Sequence, residues 1–306
     1  MRVAFSKAIV DAAKADPKIL ILTGDHGYAL FDDFRKALPD QFINAGIAEQ
    51  NMVGVAAGLA KAGFKPIVYG LAAFVPVRVL EQIKIDICYE NLPVILMGDG
   101  AGLVYSHLGT SHQSTEDIAC TRAIPGLAVL SPGDRFEMEA TMKLAFGLNS
   151  PVYIRMGKSD RGDIHSAPFN LTAGQILKVR EGSGKTAILA TGSMVRTALD
   201  LVDNGLDAEV WSVPSIKPLN SAQLKKIAER VTSIVTIEEH SIIGGLGSCI
   251  AEEVSCSNSL PICRIGIEDR FSNACGTWDY LLKEHHIDKN SIFKKIHEFL
   301  ERNSLW

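Results

Sequence analysis

The segment Ile43–Gly63, INAGIAEQNMVGVAAGLAKAG, decides how the chain is read. From about Ile47 its apolar residues recur at helical spacing, and Gly63 stands where glycine ends a helix without steric penalty. Short apolar runs flank it. Lys18–Thr23 (KILILT) comes before and Pro66–Tyr69 after, and both read as buried strands. Strand, helix and strand in turn are the unit of a parallel sheet covered on both faces. The same alternation continues outward. Pro93–Met97, Leu127–Leu130 and Val152–Arg155 read as strands, with helices predicted over Val75–Tyr89 and Asp134–Phe146.

From Ser159 to Lys185 the pattern gives way to a polar, Gly- and Ser-containing stretch, read as a linker with one strand in it. Strands resume at Thr186–Ala190, Ala208–Val213, Ser233–Ile237 and Pro261–Ile265, with helices between them. A length of 306 residues also exceeds the comfortable size of one core. The expectation is an α/β fold of two domains, each a mostly parallel sheet flanked by helices. The domains are placed at 1–160 and 175–306, with 161–174 as linker.

Composition narrows the function. Apolar residues make up 47 % and charged residues 22 %, the balance of a soluble globular protein, and a net charge of −4 provides no footprint for nucleic acid or an acidic membrane surface. The eight histidines show no zinc-ligand spacing. The six cysteines form no C-x-x-C pair and read as free thiols, mostly buried. The first helix is interrupted by Lys7, Asp11 and Lys14, unlike a signal peptide, and no apolar run approaches the roughly 18 residues of a membrane span. A cytoplasmic location is expected.

Within the deciding segment, Gly54, Ala57 and Gly58 put small side chains on one helix face. Propensity disfavours helical glycine by about 1 kcal/mol each, so the pattern predicts close approach of another backbone. Glu49 falls in the first turn, where an acid complements the helix dipole whatever else it does.

Taken with its neighbours, G-I-A-E-Q followed by A-A-G-L-A resembles the pyrimidine-binding domain of transketolases and deoxyxylulose-phosphate synthases. The resemblance implies thiamine diphosphate as cofactor. It makes Glu49 the acid that bonds the ring nitrogen of the aminopyrimidine and promotes the imino tautomer, whose nitrogen takes the proton from the thiazolium carbon. A carboxyl group shielded from water shares a proton with a weakly basic ring more readily than a hydrated one.

Tyr69–Lys84, YGLAAFVPVRVLEQIK, resembles the family segment in which an aromatic packs on the aminopyrimidine, here Phe74, with Leu71 in place of a second aromatic. Arg78, Glu81 and Gln82 match positions read as structural, at the subunit interface. GTSHQSTEDIACTRAIPGLAVLSPGD (Gly109–Asp134) resembles the family run containing a histidine at the reacting centre, which is His112. Glu116, Asp117, Arg122 and Pro125 are read as holding that loop and its helix. In LTGDHG (Leu22–Gly27), Asp25 matches an acid at the edge of the cofactor pocket, with His26 beside it at the substrate.

The substrate half departs from the family. Leu108 replaces a hydroxyl-binding acid and Gly100 a histidine, while Lys158 in YIRMGK, with Arg155 near it, stands for the basic group that holds phosphate. These departures imply a specialised or modified sugar. Two Gly-rich signals are set aside. Gly98-Asp99-Gly100 lacks the Asn-rich continuation of a magnesium–diphosphate motif, and Gly244–Gly247 lacks the G-x-G-x-x-G spacing. The latter, and the end RFSNACGTWDYLL (Arg270–Leu282), resemble the transketolase C-terminal domain.

What the resemblance leaves out is the diphosphate-binding domain, of about 270 residues, a large single core. The chain is thereby expected to be one subunit of a split transketolase, transferring a two-carbon ketol unit between sugars in an alpha2beta2 heterotetramer. The partner would supply the Mg2+ ligands, with none from this chain. The readings set beside it are the beta subunit of a 2-oxo acid dehydrogenase and a non-catalytic subunit that keeps the fold.

Overall fold

The structure is a computed structural model that describes residues 1–256 and 260–303. Its strands are β1 (Ile19–Thr23), β2 (Phe42–Asn44), β3 (Lys65–Leu71), β4 (Ile95–Asp99), β5 (Ala128–Leu130), β6 (Val152–Met156), β7 (Leu177–Arg180), β8 (Thr186–Ala190), β9 (Glu209–Ser212), β10 (Ser215–Lys217), β11 (Ser233–Ser241) and β12 (Ile262–Ile267). Every residue of β1, β4, β6 and β8 is buried. That is why these strands read as unbroken apolar runs: a parallel sheet with helices on both faces has no solvated side.

Seven strands form one sheet in the order β10-β5-β6-β4-β3-β1-β2, and five form a second in the order β12-β11-β8-β9-β7. Pairing is parallel except that β10 runs antiparallel to β5 and β7 antiparallel to β9. On one face of the larger sheet, helices Arg2–Ala15 and Arg135–Gly147 bury Phe5, Ile9, Met138 and Met142. On the other, helix Glu49–Lys61 buries Met52, Val53 and Ala56. β2 and β10 are absent from the sequence reading. β10 follows β9 after two residues yet joins the first sheet, so the second half of the chain returns a strand to the first.

Two predicted helices change. The helix expected from about Ile47 starts at Glu49. The helix expected over Val75–Tyr89 breaks into a 3-10 turn (Val77–Val79), one α turn (Leu80–Gln82) and a π segment (Ile83–Cys88). Val75, Val79, Ile83 and Ile87 are all fully buried at a spacing of four. An α-helix advances 3.6 residues per turn, so it would rotate this row off the core, and a locally wider turn keeps it inward.

The two halves meet around Arg155 on β6, which is 1 % exposed. Its Nε donates to both carboxylate oxygens of Asp117 (3.1 and 2.8 Å), and its Nη2 donates to the carbonyls of Ser114 (3.4 Å) and Glu239 (2.7 Å). Tyr153 donates to the same carboxylate at 2.7 Å. Beside it, the amides of Ile118 and Ala119 donate to Nε2 of His240, whose pKa burial pulls down to about 4. The neutral ring can therefore accept at the start of helix Asp117–Arg122. Arg122 in turn grips Glu252 through Nη1 and Nη2 at 2.8 and 2.7 Å.

The Gly244–Gly247 turn opens helix Leu246–Ser255, and the Glu238 carboxylate fills its N-terminus, accepting from the amides of Leu246 and Gly247 at 2.7 and 2.8 Å. Burial pushes this carboxyl up to about 7 despite those donors. Among the described residues no helix is long and apolar enough to cross a membrane.

Asp117→Asn leaves the Arg155 charge buried without its counter-ion, which in comparable sites costs about 3–5 kcal/mol. Urea unfolding followed by circular dichroism should show a loss of that size. A loss below about 1 kcal/mol, typical of exposed pairs, would mean that the seam does not depend on this pair.

Candidate active site

The chemistry-bearing residues gather at the carboxyl ends of the parallel strands, where open α/β sheets bind ligands. Past β1 come Asp25 and His26, past β2 Glu49, at the end of β3 Leu71 and past it Phe74, past β4 Leu108 and His112, and past β6 Lys158.

Glu49 is the first residue of its helix and is 4 % exposed. Its Oε2 accepts from Arg78 Nη1 at 3.3 Å, while Oε1 is buried with no hydrogen-bond partner. Such an orphaned acceptor carries a desolvation penalty of about 1–3 kcal/mol.

Phe74 sits on the turn after β3, where its amide and that of Val75 donate to the Leu71 carbonyl at 2.8 Å. Leu71 thus shapes the turn through its backbone and is half-buried. The Arg78 guanidinium lies 4.1 Å from the centre of the Phe74 ring, and the His112 ring stands edge-on to Phe74 at 5.3 Å. The His26 ring is 6.4 Å from Phe74. Burial lowers the His26 pKa, and its Nε2 is buried and unpartnered. Asp25 takes a left-handed φ of 60° and accepts from Asn44 Nδ2 at 3.2 Å. A cleft of about 400 Å³, lined by Asp25, His26, Tyr28, Arg35 and Asn44 among others, opens beside them.

His112 closes a 3-10 turn (Thr110–His112), with Nδ1 3.0 Å from Ser111 Oγ. Just before it, Leu108 is 47 % exposed. Gly100 has φ +72°, and a Cβ there would lie 2.0 Å from the Tyr105 ring. The Tyr105 ring therefore occupies the space that a side chain at position 100 would need. Its hydroxyl and that of Tyr69 both donate to Asp99, so this Gly-Asp-Gly run is internally satisfied.

Several sequence expectations need correction. Arg155 is not a second basic group beside Lys158; it is engaged by Asp117 and backbone carbonyls in the core. The Lys158 Nζ lies 3.1 Å from Asp160 and 6.0 Å from the Trp278 ring centre. Added Cβ atoms at Gly54 and Gly58 would meet nothing within 4 Å, so no backbone among the described residues makes the close approach expected there. Within the chain, Arg78 covers Phe74 and pairs with Glu49, contacts that the sequence reading did not include. Of the six free thiols, Cys88 and Cys249 are buried, and Cys256 and Cys275 are exposed.

Fold and side chains together describe an α/β chain that gathers Phe74, His112, His26 and, through Arg78, Glu49 at the carboxyl ends of its parallel strands. Residues 1–162 match the family described as "Transketolase, pyrimidine binding domain", and residues 174–292 match "Transketolase, C-terminal domain". The chain is 35 % identical to a subunit of the apulose-4-phosphate transketolase of Phocaeicola vulgatus, over 98 % of this chain and 97 % of that one. It is 33 % identical to a subunit of the 6-deoxy-6-sulfo-D-fructose transketolase of a Clostridium species, over 99 % and 95 %. A solved structure described as a split gene transketolase, inactive beta4 tetramer, superposes with a TM-score of 0.87 at 34 % identity, covering 97 % of each chain. This chain belongs to the transketolase family.

The Arg78–Glu49 pair distinguishes a structural role from a ligand-ready one. Arg78 is 46 % exposed, so Arg78→Ala admits water to the carboxylate rather than burying it alone. The stability loss should stay within about 2 kcal/mol, the sum of a half-exposed pair and a cation–π contact. A loss of about 3 kcal/mol by thermal unfolding would make the pair a structural lock.

Proposed function

We propose that the chain is the second subunit of a thiamine-diphosphate-dependent split transketolase, moving a two-carbon ketol unit between sugars, one of them modified. The observation that carries this reading is the unpaired Oε1 of Glu49 beside the half-buried Phe74 ring. A flat, weakly basic heterocycle meets both needs at once, with an aromatic platform for its face and one acceptor for its edge. The residues fit the family's cofactor on that ground.

Bound thiamine diphosphate supplies a thiazolium carbon able to carry the two-carbon unit. Glu49 would hold the aminopyrimidine nitrogen and exchange a proton there, with burial keeping water from competing. Phe74 would support the ring, with Leu71 and Asp25 at the pocket edge. Arg78 has to leave the Phe74 face and release Oε2 for this to happen. His112 and the neutral His26 would address substrate oxygens. Lys158 would take an anionic group, and Leu108 presents apolar surface where the family's acid would bind a hydroxyl.

The diphosphate cradle and Mg2+ ligands belong, in this proposal, to a partner subunit of about 270 residues, in a cytoplasmic alpha2beta2 assembly. Support comes from relatives named as subunits of transketolases for apulose-4-phosphate and 6-deoxy-6-sulfo-D-fructose, both modified sugars. The solved beta4 relative is described as inactive, which fits a chain that needs a partner. Family membership favours this reading over a 2-oxo acid dehydrogenase subunit.

The isolated chain should be folded and without turnover, and mixing with the partner and thiamine diphosphate should create activity. In that complex Glu49→Gln should assemble normally and lose about 100-fold or more in kcat, the scale of a lost proton-transfer group. Near wild-type turnover would reduce Glu49 to a dipole-compensating acid.

A ketose panel, with and without anionic groups, tests substrate. Unmodified donors should fall about tenfold to a hundredfold below modified ones in kcat/KM, because a hydroxyl facing Leu108 goes unpaired. Lys158→Ala should raise KM most for anionic sugars. Equal turnover across the panel would show that Leu108 does not set specificity.

A further inference from the structure

His112 stands on a segment with little support of its own. Residues 107, 108, 110 and 111 are exposed, and the turn is closed by local bonds such as His112 N–H to the Gly109 carbonyl at 3.0 Å. Immediately after it, the chain is seized from the other half of the molecule. Ser272 donates through Oγ to Gln113 Oε1 at 2.8 Å, and the same Oγ lies 2.9 Å from His285 Nε2. A hydroxyl has one proton, and the Gln113 oxygen can only accept it. His285 therefore supplies an Nε2–H, which leaves its Nδ1 bare, and Nδ1 is buried without a partner. His285 is 2 % exposed, and burial lowers its pKa, so it stays neutral.

Other bonds across the same seam hold residues farther along. Ser241 N–H donates to the Thr115 carbonyl at 2.7 Å, while from within the first half Arg155 holds the Ser114 carbonyl. On the near side, Cys275 Sγ lies 3.0 Å from where a Cβ on Gly109 would stand. Loop 271–277 thus brackets the His112 turn at both ends. The Ser272–Gln113 bond is the tether adjacent to His112 in the chain.

We propose that Ser272, oriented by His285, is a positioning residue that sets the His112 ring against Phe74 through Gln113, giving the C-terminal domain a direct part in the chemistry. This rests on the reading of His112 as a group that touches substrate. A shift of about 1 Å in such a group is enough to cost rate without unfolding anything.

The test is a double-mutant cycle in the assembled, cofactor-loaded complex, using the best sugar of the panel above. Ser272→Ala should lower kcat about tenfold and leave the thiamine diphosphate Kd nearly unchanged, with a modest fall in the thermal midpoint because buried Gln113 and His285 lose a partner. Ser272→Thr, which keeps the hydroxyl, should remain within about twofold of wild type. In a His112→Ala background, Ser272→Ala should add less than about twofold, because a group that acts through His112 has nothing left to position. Full tenfold loss in that background, or no loss in the His112-containing enzyme, overturns the proposal. If Ser272→Ala also weakens cofactor affinity, the residue is structural and the proposal again fails. Unchanged turnover in His112→Ala alone would instead remove the reading on which it rests.

Discussion

The Arg155–Asp117 pair is the constraint on which the rest of the molecule depends. Both side chains are out of water, at 1 % and 0 % exposed, and isolated charges there would be prohibitive. They persist because the pair is densely bonded: Arg155 donates to both carboxylate oxygens and to the carbonyls of Ser114 and Glu239, and the Tyr153 hydroxyl donates to the carboxylate. Those partners come from β6, from the helix after the His112 loop, and from β11 of the other sheet. One guanidinium therefore fixes a strand, a loop and a domain against each other. Planar, multidirectional donation is what arginine offers and lysine does not.

That rigidity explains how a site can be built from the ends of separate strands. Glu49 opens a helix packed on the sheet and Phe74 sits on the turn closed directly on the end of β3, so their relation is set by strand register and helix packing. His112 rides on a turn, and its place is inherited from the seam. The unpaired Glu49 oxygen fits the same picture, since a buried acceptor without a donor is tolerated where the surrounding structure over-determines its position. The seam offsets the destabilisation that such a group brings.

Much of the fold was legible because doubly covered parallel strands must be apolar throughout; KILILT at 18–23 can hardly be anything else. β2 and β10 were not, for a physical reason. Each has three residues, β2 is at the sheet edge, and β10 (Ser215–Lys217) lies between prolines and pairs with Val129 and Leu130, far earlier in the chain. Periodicity carries no information about pairing at that distance. The candidate site divides likewise. Glu49, Phe74, His26 and His112 were named from local motifs, and the structure gathers them around the Phe74 ring. Arg78 as a cover for that ring, Arg155 as a core group, and the Ser272–Gln113–His285 link depend on contacts that mostly span 29 to 159 positions. Nothing local marks them.

The two arginines near the site show how burial divides labour between like side chains. Arg155 sits in a pair whose rupture costs several kcal/mol; a ligand with ordinary binding energy cannot displace it, so it serves as scaffold. Arg78 is nearly half exposed, holds Glu49 at 3.3 Å and stacks on Phe74 at 4.1 Å. Exposed pairs and cation–π contacts of this sort amount to about 1 kcal/mol each. A ligand that brings its own donor to Glu49 and its own flat face to Phe74 replaces both contacts in kind. Arg78 meanwhile regains water, so the net penalty for displacing it is small. The free chain can thus keep a carboxylate and an aromatic ring covered while remaining ready to exchange that cover. A rigid seam and an easily displaced cap are complementary: the first holds the geometry, and the second leaves Glu49 and Phe74 open to exchange.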